Sequence, residues 1–305
     1  MSRKNVDLVI VGSVALDTIE TPEAKRKDVL GGAATFACAA ASFFAKTGMV
    51  GVVGTDFPPK KRQRLQEYGI DLDGLQSVAG KTFRWSGVYE PDFVNRRTLD
   101  TQLGVFADFK PLLPAAYRKT PYLMLGNIGP DLQRNVLDQM QGTRFVAMDT
   151  MDLWINIARP ALMDVIRRVD MITLNDSEAR KLTGKFNLRD CAERILKMGP
   201  RYVVIKKGEH GALLFSSKGI VIIPAYPVCK VVDPTGAGDA YAGAMMGYLA
   251  AHDSVKHPTI VEALYRASVV ASFAVESFGL DVLDALTSAK IERRRKELMK
   301  MCSGK

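Results

Sequence analysis

Cysteine is scarce in this chain: four in 305 residues, Cys38, Cys191, Cys229 and Cys302, with no C-x-x-C pair. That excludes a disulfide framework and a structural zinc site of the usual spacing, and fits a reducing compartment. Long apolar runs are missing too. No stretch is uninterrupted enough to cross a bilayer, and Arg3, Lys4 and Asp7 break the apolar start that a signal peptide needs, so a cytoplasmic protein with no membrane partner is expected. Neither a low-complexity tract nor a repeat of solenoid period is present. Acid is short relative to base, 33 Asp and Glu against 42 Lys and Arg, a net charge of +9. The excess gathers in runs at 60–62 and 291–296 that read as solvated helix faces. No basic stripe is interleaved with aromatics, so nucleic acid is not an expected partner, although a basic field attracts phosphorylated ligands.

What is there is an ordinary globular composition, 47% hydrophobic and 25% charged. Its length accommodates one large α/β domain or two smaller ones. Compact apolar segments at 6–12, 48–54, 122–126, 144–149, 171–174 and 202–205 read as strands, alternating with helical stretches at 37–46, 60–68, 132–141, 160–169 and 262–275. This rhythm argues for a mainly parallel sheet with helices on both faces, whose ligands gather beyond the carboxyl ends of the strands. Asn127, Asp149 and Asp152 fall at such ends. Segments 82–89 and 97–104 alternate around a polar turn with Pro91, Asp92 and Asn95, as a hairpin would, and 13–20 alternates partly, as a more exposed strand would.

The stretch 231–239, Val-Val-Asp-Pro-Thr-Gly-Ala-Gly-Asp, organises the rest. Pro234 sets a turn after an expected short strand, and Gly236 and Gly238 free the backbone to point successive N–H groups one way. A helix of small residues follows, whose first-turn N–H groups and dipole favour an anion. Asp239 is placed to take a proton from a hydroxyl above the loop, or else merely to cap the helix. A Walker loop is excluded because no Gly-Lys-Ser/Thr follows, and the next glycine, Gly243, is too distant for a dinucleotide fingerprint.

Four other places carry chemistry on one reading and plain structure on another. Asp17 is a strand-end polar residue or a ligand group. Gly31-Gly32 opens a small-residue helix expected to pack closely on a sheet, either as a turn or where a ligand meets the backbone, with Phe36 four residues on. Asn175 with Glu178 spells a reciprocal helix cap. Lys206, Gly208 and Gly211 make a hairpin turn, in which His210 is an exposed residue.

Residues 233–243 resemble the C-terminal signature of the PfkB carbohydrate kinases, the ribokinase-like kinases, with Pro234 at a variable position. The other motifs follow in that family's order over nearly the full length. The resemblance implies a single ribokinase-like kinase domain over 1–305, with a small β lid from approximately 14–30 and 81–107. It implies ATP-dependent phosphorylation of a primary hydroxyl on a sugar or sugar derivative. Asp239 would be the base, and Gly236, Ala237 and Gly238 the anion hole. Asp17, Gly31 and Gly32 would bind the acceptor, and Asn175, Lys206, Gly208 and Gly211 the nucleotide. Glu178 would hold Mg2+ through water, and Asp233 and Thr235, with the turn at 276–279, would admit a monovalent cation such as K+. The family's frequent asparagine is Phe36 here, which implies an apolar wall for the acceptor. Phe36, Phe83 and Trp85 make a ribonucleoside kinase the alternative, since each offers a base a flat partner. A catalytically silent ligand-binding homologue is the rival of another class. Unpaired lid edges suggest a homodimer.

Overall fold

The computed structural model describes residues 6–303. Its strands are β1 (Leu8–Val11), β2 (Ala15–Glu20), β3 (Lys25–Gly31), β4 (Thr47–Gly54), β5 (Asp71–Val78), β6 (Phe83–Tyr89) and β7 (Arg96–Gln102). There follow β8 (Tyr122–Leu125), β9 (Phe145–Asp149), β10 (Met171–Asn175), β11 (Tyr202–Lys206), β12 (Ala212–Ser216) and β13 (Gly219–Ile223). Nine of them form one sheet in the order β13-β12-β11-β10-β9-β8-β1-β4-β5. It is parallel from β11 to β5 and antiparallel only at β12 and β13.

Both faces of this sheet are buried, which is why its central strands read as unbroken apolar runs. Leu8, Ile10, Met124 and Phe145 face one core, with the helices Ala33–Ala41, Ala237–His252 and His257–Ala274. Val9, Val11, Leu125 and Met148 face the other, where Val136, Leu162, Leu182 and Ile195 cover them. The helix begun by Gly31-Gly32 does more than lie on the sheet, as its small residues had suggested. A Cβ on Gly243 or Gly247 would overlap the backbone of Ala37 or Ala41. Small residues four apart on each helix thus bring two main chains together, so the two glycine motifs open helices that run in contact.

The other four strands form a second sheet, β3-β2-β6-β7, with β2 and β6 parallel and the outer pairs antiparallel. The segments at 13–20, 82–89 and 97–104 all belong to it. Contrary to the expectation of an exposed strand, β2 is largely covered: Ala15, Leu16, Asp17 and Ile19 are buried, Ile19 against Tyr89 and Phe278. Residues 224–235 carry no strand, so Pro234 follows an irregular segment rather than the short strand expected. Strand β5 and the helices Asp152–Ile157 and Leu188–Leu196 were not anticipated. The runs at 60–62 and 291–296 lie on the helices Pro59–Glu67 and Ser288–Ser303. No helix among the described residues is long and apolar enough to cross a membrane.

Candidate active site

Gly236 caps the helix Ala237–His252 from a left-handed conformation, φ 76°, with no side chain closing the cap. The Ala237 N–H donates to Pro234 O at 3.2 Å, and the first helical bond is Ala240 N to Gly236 O at 2.8 Å. The N–H groups of Gly236, Gly238 and Asp239 therefore have no acceptor among the described residues, at the positive end of a sixteen-residue helix. The helix Ala33–Ala41 is different. Ser13 satisfies its first turn, accepting from Ala33 N at its Oγ and from Ala34 N at its carbonyl, each at 3.0 Å. Only one of the two adjacent helices presents free donors.

Phe36 is completely buried, and a Cβ on Gly236 would overlap its ring. It is therefore no wall of an acceptor pocket and no stacking partner for a base, contrary to the expectation drawn from its place in the motif. It is the floor on which the loop rests.

Beside the loop stands Lys206. Its Nζ lies 3.2 Å from where a Gly238 Cβ would be, and 2.8 Å from Asp149 Oδ2. Burial works against the ammonium, but Asp149 and Glu178 outweigh it and hold the pKa above its ordinary value. Lys206 is in register with Asn175, and Asp149 ends the next strand, so three strand ends deliver the cluster. Asn175 and Glu178 form the reciprocal cap: Glu178 N donates to Asn175 Oδ1 at 2.8 Å, and Asn175 N to Glu178 Oε2 at 2.7 Å. Desolvation, then the charge of Asp149, push the Glu178 carboxyl up to about 7. Next to Asp149 in sequence, Thr150 Oγ1 and Asp152 Oδ1 are buried without partners, while Asp152 Oδ2 meets Lys181 Nζ at 2.9 Å. Among the described residues no group of three or more His, Cys, Asp or Glu is gathered to hold a metal ion directly, so a hard divalent cation beside Glu178 would keep most of its ligands as water or phosphate oxygen. Asn127 faces other work, accepting from Trp154 Nε1 at 2.9 Å. In the turn after β11, Gly208 and Gly211 have positive φ, and His210 is exposed.

On the other side of the loop lie the acids. Asp17 is buried, its Oδ1 has no partner, and its Oδ2 occupies the space where Gly31 lacks a Cβ. Burial first, then the charges of Asp233 and Asp239, raise its pKa to about 7. Asp239 accepts no hydrogen bond among the described residues. Burial and the charge of Asp149 bring it, too, to about 7, against the pull of Lys206 and Arg96. A helix cap would be spent on backbone N–H groups; this carboxylate is not. Asp233 is engaged by the backbone: it accepts from Thr235 N at 2.9 Å and Gly279 N at 3.4 Å, tying the loop to the turn at 276–279. Thr235 Oγ1 donates to Tyr89 OH at 3.1 Å. These bonds leave lone pairs on the oxygens of Asp233 and Thr235 that a monovalent cation would use.

The structure thus places Asp17, Gly31, Gly32, Asn175, Glu178, Lys206 and the 236–239 loop around the carboxyl ends of β1, β9, β10 and β11. Tyr89 and Arg96, both from the second sheet, were missed: nothing local marks a tyrosine or an arginine in an alternating hairpin.

Residues 5–285 match the model of the pfkB family of carbohydrate kinases. The chain is 32% identical over 254 residues to the cytidine kinase of Thermococcus kodakarensis, covering 81% of this chain and 88% of that one. Its fold superposes with a TM-score of 0.77 on the nucleoside kinase of Burkholderia thailandensis, solved with inosine, at 21% identity over 95% of this chain and 98% of the other. The ribokinase of Arabidopsis thaliana, solved with ribose and ATP, gives 0.76 at 21% identity over 95% and 99%. With an open-ended helix and an unspent carboxylate at the joint between its two sheets, this chain belongs to the pfkB family of carbohydrate kinases.

Proposed function

We propose that this ATP-dependent kinase of sugar or nucleoside hydroxyls takes a ribonucleoside, cytidine foremost, and phosphorylates its primary hydroxyl. The observation that carries the choice is the identity with a cytidine kinase over most of both chains. Asp17 supports the placement of the sugar: a buried carboxylate oxygen with no partner costs free energy until a hydroxyl donates to it. In this reading the chain works as one kinase domain, with segments 14–30 and 81–107 as its lid.

The acceptor hydroxyl lies between Asp17 and Asp239. Asp239 takes its proton as the new P–O bond forms. The N–H groups of Gly236, Gly238 and Asp239 and the Lys206 ammonium stabilise the transferring phosphoryl group, Lys206 from the nucleotide side. Ala237 shapes the loop but spends its own N–H on Pro234. Asn175, Gly208 and Gly211 line the nucleotide. Glu178 would hold Mg2+ through water, and the ion would supply neutralisation of phosphate charge there. The protein is cytoplasmic, without nucleic-acid or membrane partners, and pairs through the lid edges, which sedimentation tests.

Turnover with cytidine, adenosine, inosine, ribose, deoxyribose, fructose and sugar acids, read as ATP consumption, tests the choice. Ribonucleosides are expected to exceed free sugars by at least about tenfold in kcat/KM, the order that one pocket contact supplies. Preference for ribose or deoxyribose would return the protein to the sugar kinases. Asp17→Asn separates sugar binding from chemistry: its acceptor KM should rise about tenfold or more, and its nucleotide KM should hardly move.

A further inference from the structure

The lid carries a cation that the mechanism above does not use. Arg96 opens β7, is exposed, and forms no ion pair among the described residues, whereas its lid neighbour Arg84 is paired with Asp28 and Asp56. Its register fixes where it points. Arg96 stands opposite Tyr89 across the antiparallel pair, and opposite residues share a face. Tyr89 is the residue whose hydroxyl meets Thr235 of the loop, so this is the lid face turned to the anion hole. From there Arg96 leans back over the indole of Trp85, its Cζ 5.6 Å from the ring centre. Trp85 in turn stands opposite Asp17 across β2 and β6, and Thr98 holds its Nε1 at 3.2 Å. A Cβ on Gly87 would overlap the indole, so the ring lies down along the strand with Arg96 on its open side. The positive charge is close enough to weigh on both Asp17 and Asp239.

Lys206, from the strand ends, and Arg96, from the lid, thus both act on Asp239, and Arg96 acts on Asp17 as well. We infer that Arg96 is a catalytic residue of the lid, whose guanidinium meets the phosphoryl group as it passes to the acceptor. In the step, the bond from the γ-phosphorus of ATP to its bridging oxygen breaks, and ADP leaves with the electron pair. A bond to the acceptor oxygen forms, and the hydroxyl proton goes to Asp239. Charge on the migrating group's oxygens ends on the acceptor side, where Lys206 is no longer the near cation. A planar guanidinium is suited to two of those oxygens at once. This rests on the kinase reading above.

The test compares wild type, Arg96→Ala and Arg96→Lys at pH 8.5, where Asp239 is ionised in the wild type. The probe is whichever of cytidine, adenosine, inosine and ribose the wild type turns over fastest, together with its phosphorylated product. Arg96→Ala should lose about 10²-fold in kcat, the scale of one charge-stabilising donor, with acceptor KM within about threefold. By calorimetry it should bind the phosphorylated product at least about tenfold more weakly and the unphosphorylated acceptor almost as well as wild type. Arg96→Lys should fall between, and melting temperatures should agree within a few degrees, since Arg96 is exposed, forms no ion pair among the described residues and touches only the Trp85 ring by its charge. Unchanged kcat in Arg96→Ala overturns the inference while leaving the kinase reading intact. Equal loss of acceptor and product affinity also overturns it, assigning Arg96 to the acceptor's sugar or base. A wild type that turns over none of the four overturns both.

Discussion

Replacement of Asp239 by asparagine is expected to lower kcat by about 10³-fold, within the range that a positioned general base contributes. Dissociation constants for ATP and ADP should stay within about twofold. The two effects separate because nothing in the fold leans on this carboxylate. It accepts no protein hydrogen bond, and the N–H groups of the loop owe their direction to Gly236 and Pro234 instead. The pH dependence follows from its burial. With a folded pKa raised to about 7, Asp239 is protonated below that pH and cannot accept the hydroxyl proton. Wild-type kcat/KM should therefore fall as pH drops below about 7, and the residual rate of Asp239→Asn should lack that limb. Stability runs the other way. A carboxyl whose pKa is raised on folding contributes most below its unfolded value, and that contribution is lost as pH rises through the folded value near 7. At pH 8 the ionised Asp239 burdens the free fold, so Asp239→Asn should melt higher, by on the order of a few degrees. Near-normal turnover of this variant removes Asp239 from the base's role.

The strand-helix rhythm was legible in the sequence because both sheet faces are covered, giving short apolar runs bounded by turns. Edge strand β5 was not: Asp71, Asp73, Gly74 and Gln76 interrupt it, and only its pairing with β4 makes it a strand. The loop at 233–239 was legible in its glycines. What lies under it was not, since a phenylalanine in a motif looks the same whether it lines a pocket or fills a core. The Asn175 and Glu178 pair kept both meanings: the cap is present, and the burial that accompanies it shifts the carboxyl. Asp149 could be placed at a strand end, but its partner Lys206 lies 57 residues away in sequence, beyond any local pattern. Arg96 depends on lid register, which alternation leaves open by one residue, and one residue turns a side chain to the opposite face.

The same floor gives the last prediction. Gly236→Ala should reduce kcat/KM by about 10²-fold or more, because the proposed anion hole depends on this one backbone conformation. At φ 76° a residue with a side chain pays about 1–2 kcal/mol. The new methyl also has nowhere to go, since it would overlap the buried Phe36 ring. The loop must lift, and a displacement of about 1 Å at a positioned site costs on the order of 10²-fold. Shrinking the floor separates the two contributions. Phe36→Leu alone should keep turnover within several-fold of wild type. Combined with Gly236→Ala, it should recover at least about tenfold of the lost kcat/KM, leaving the part due to φ. Two residues 200 positions apart should then show a coupling above about 1 kcal/mol in a double-mutant cycle, as groups in contact do. Strictly additive losses would mean that the loop does not rest on Phe36, and that its shape is held by Asp233 and the turn at 276–279 alone.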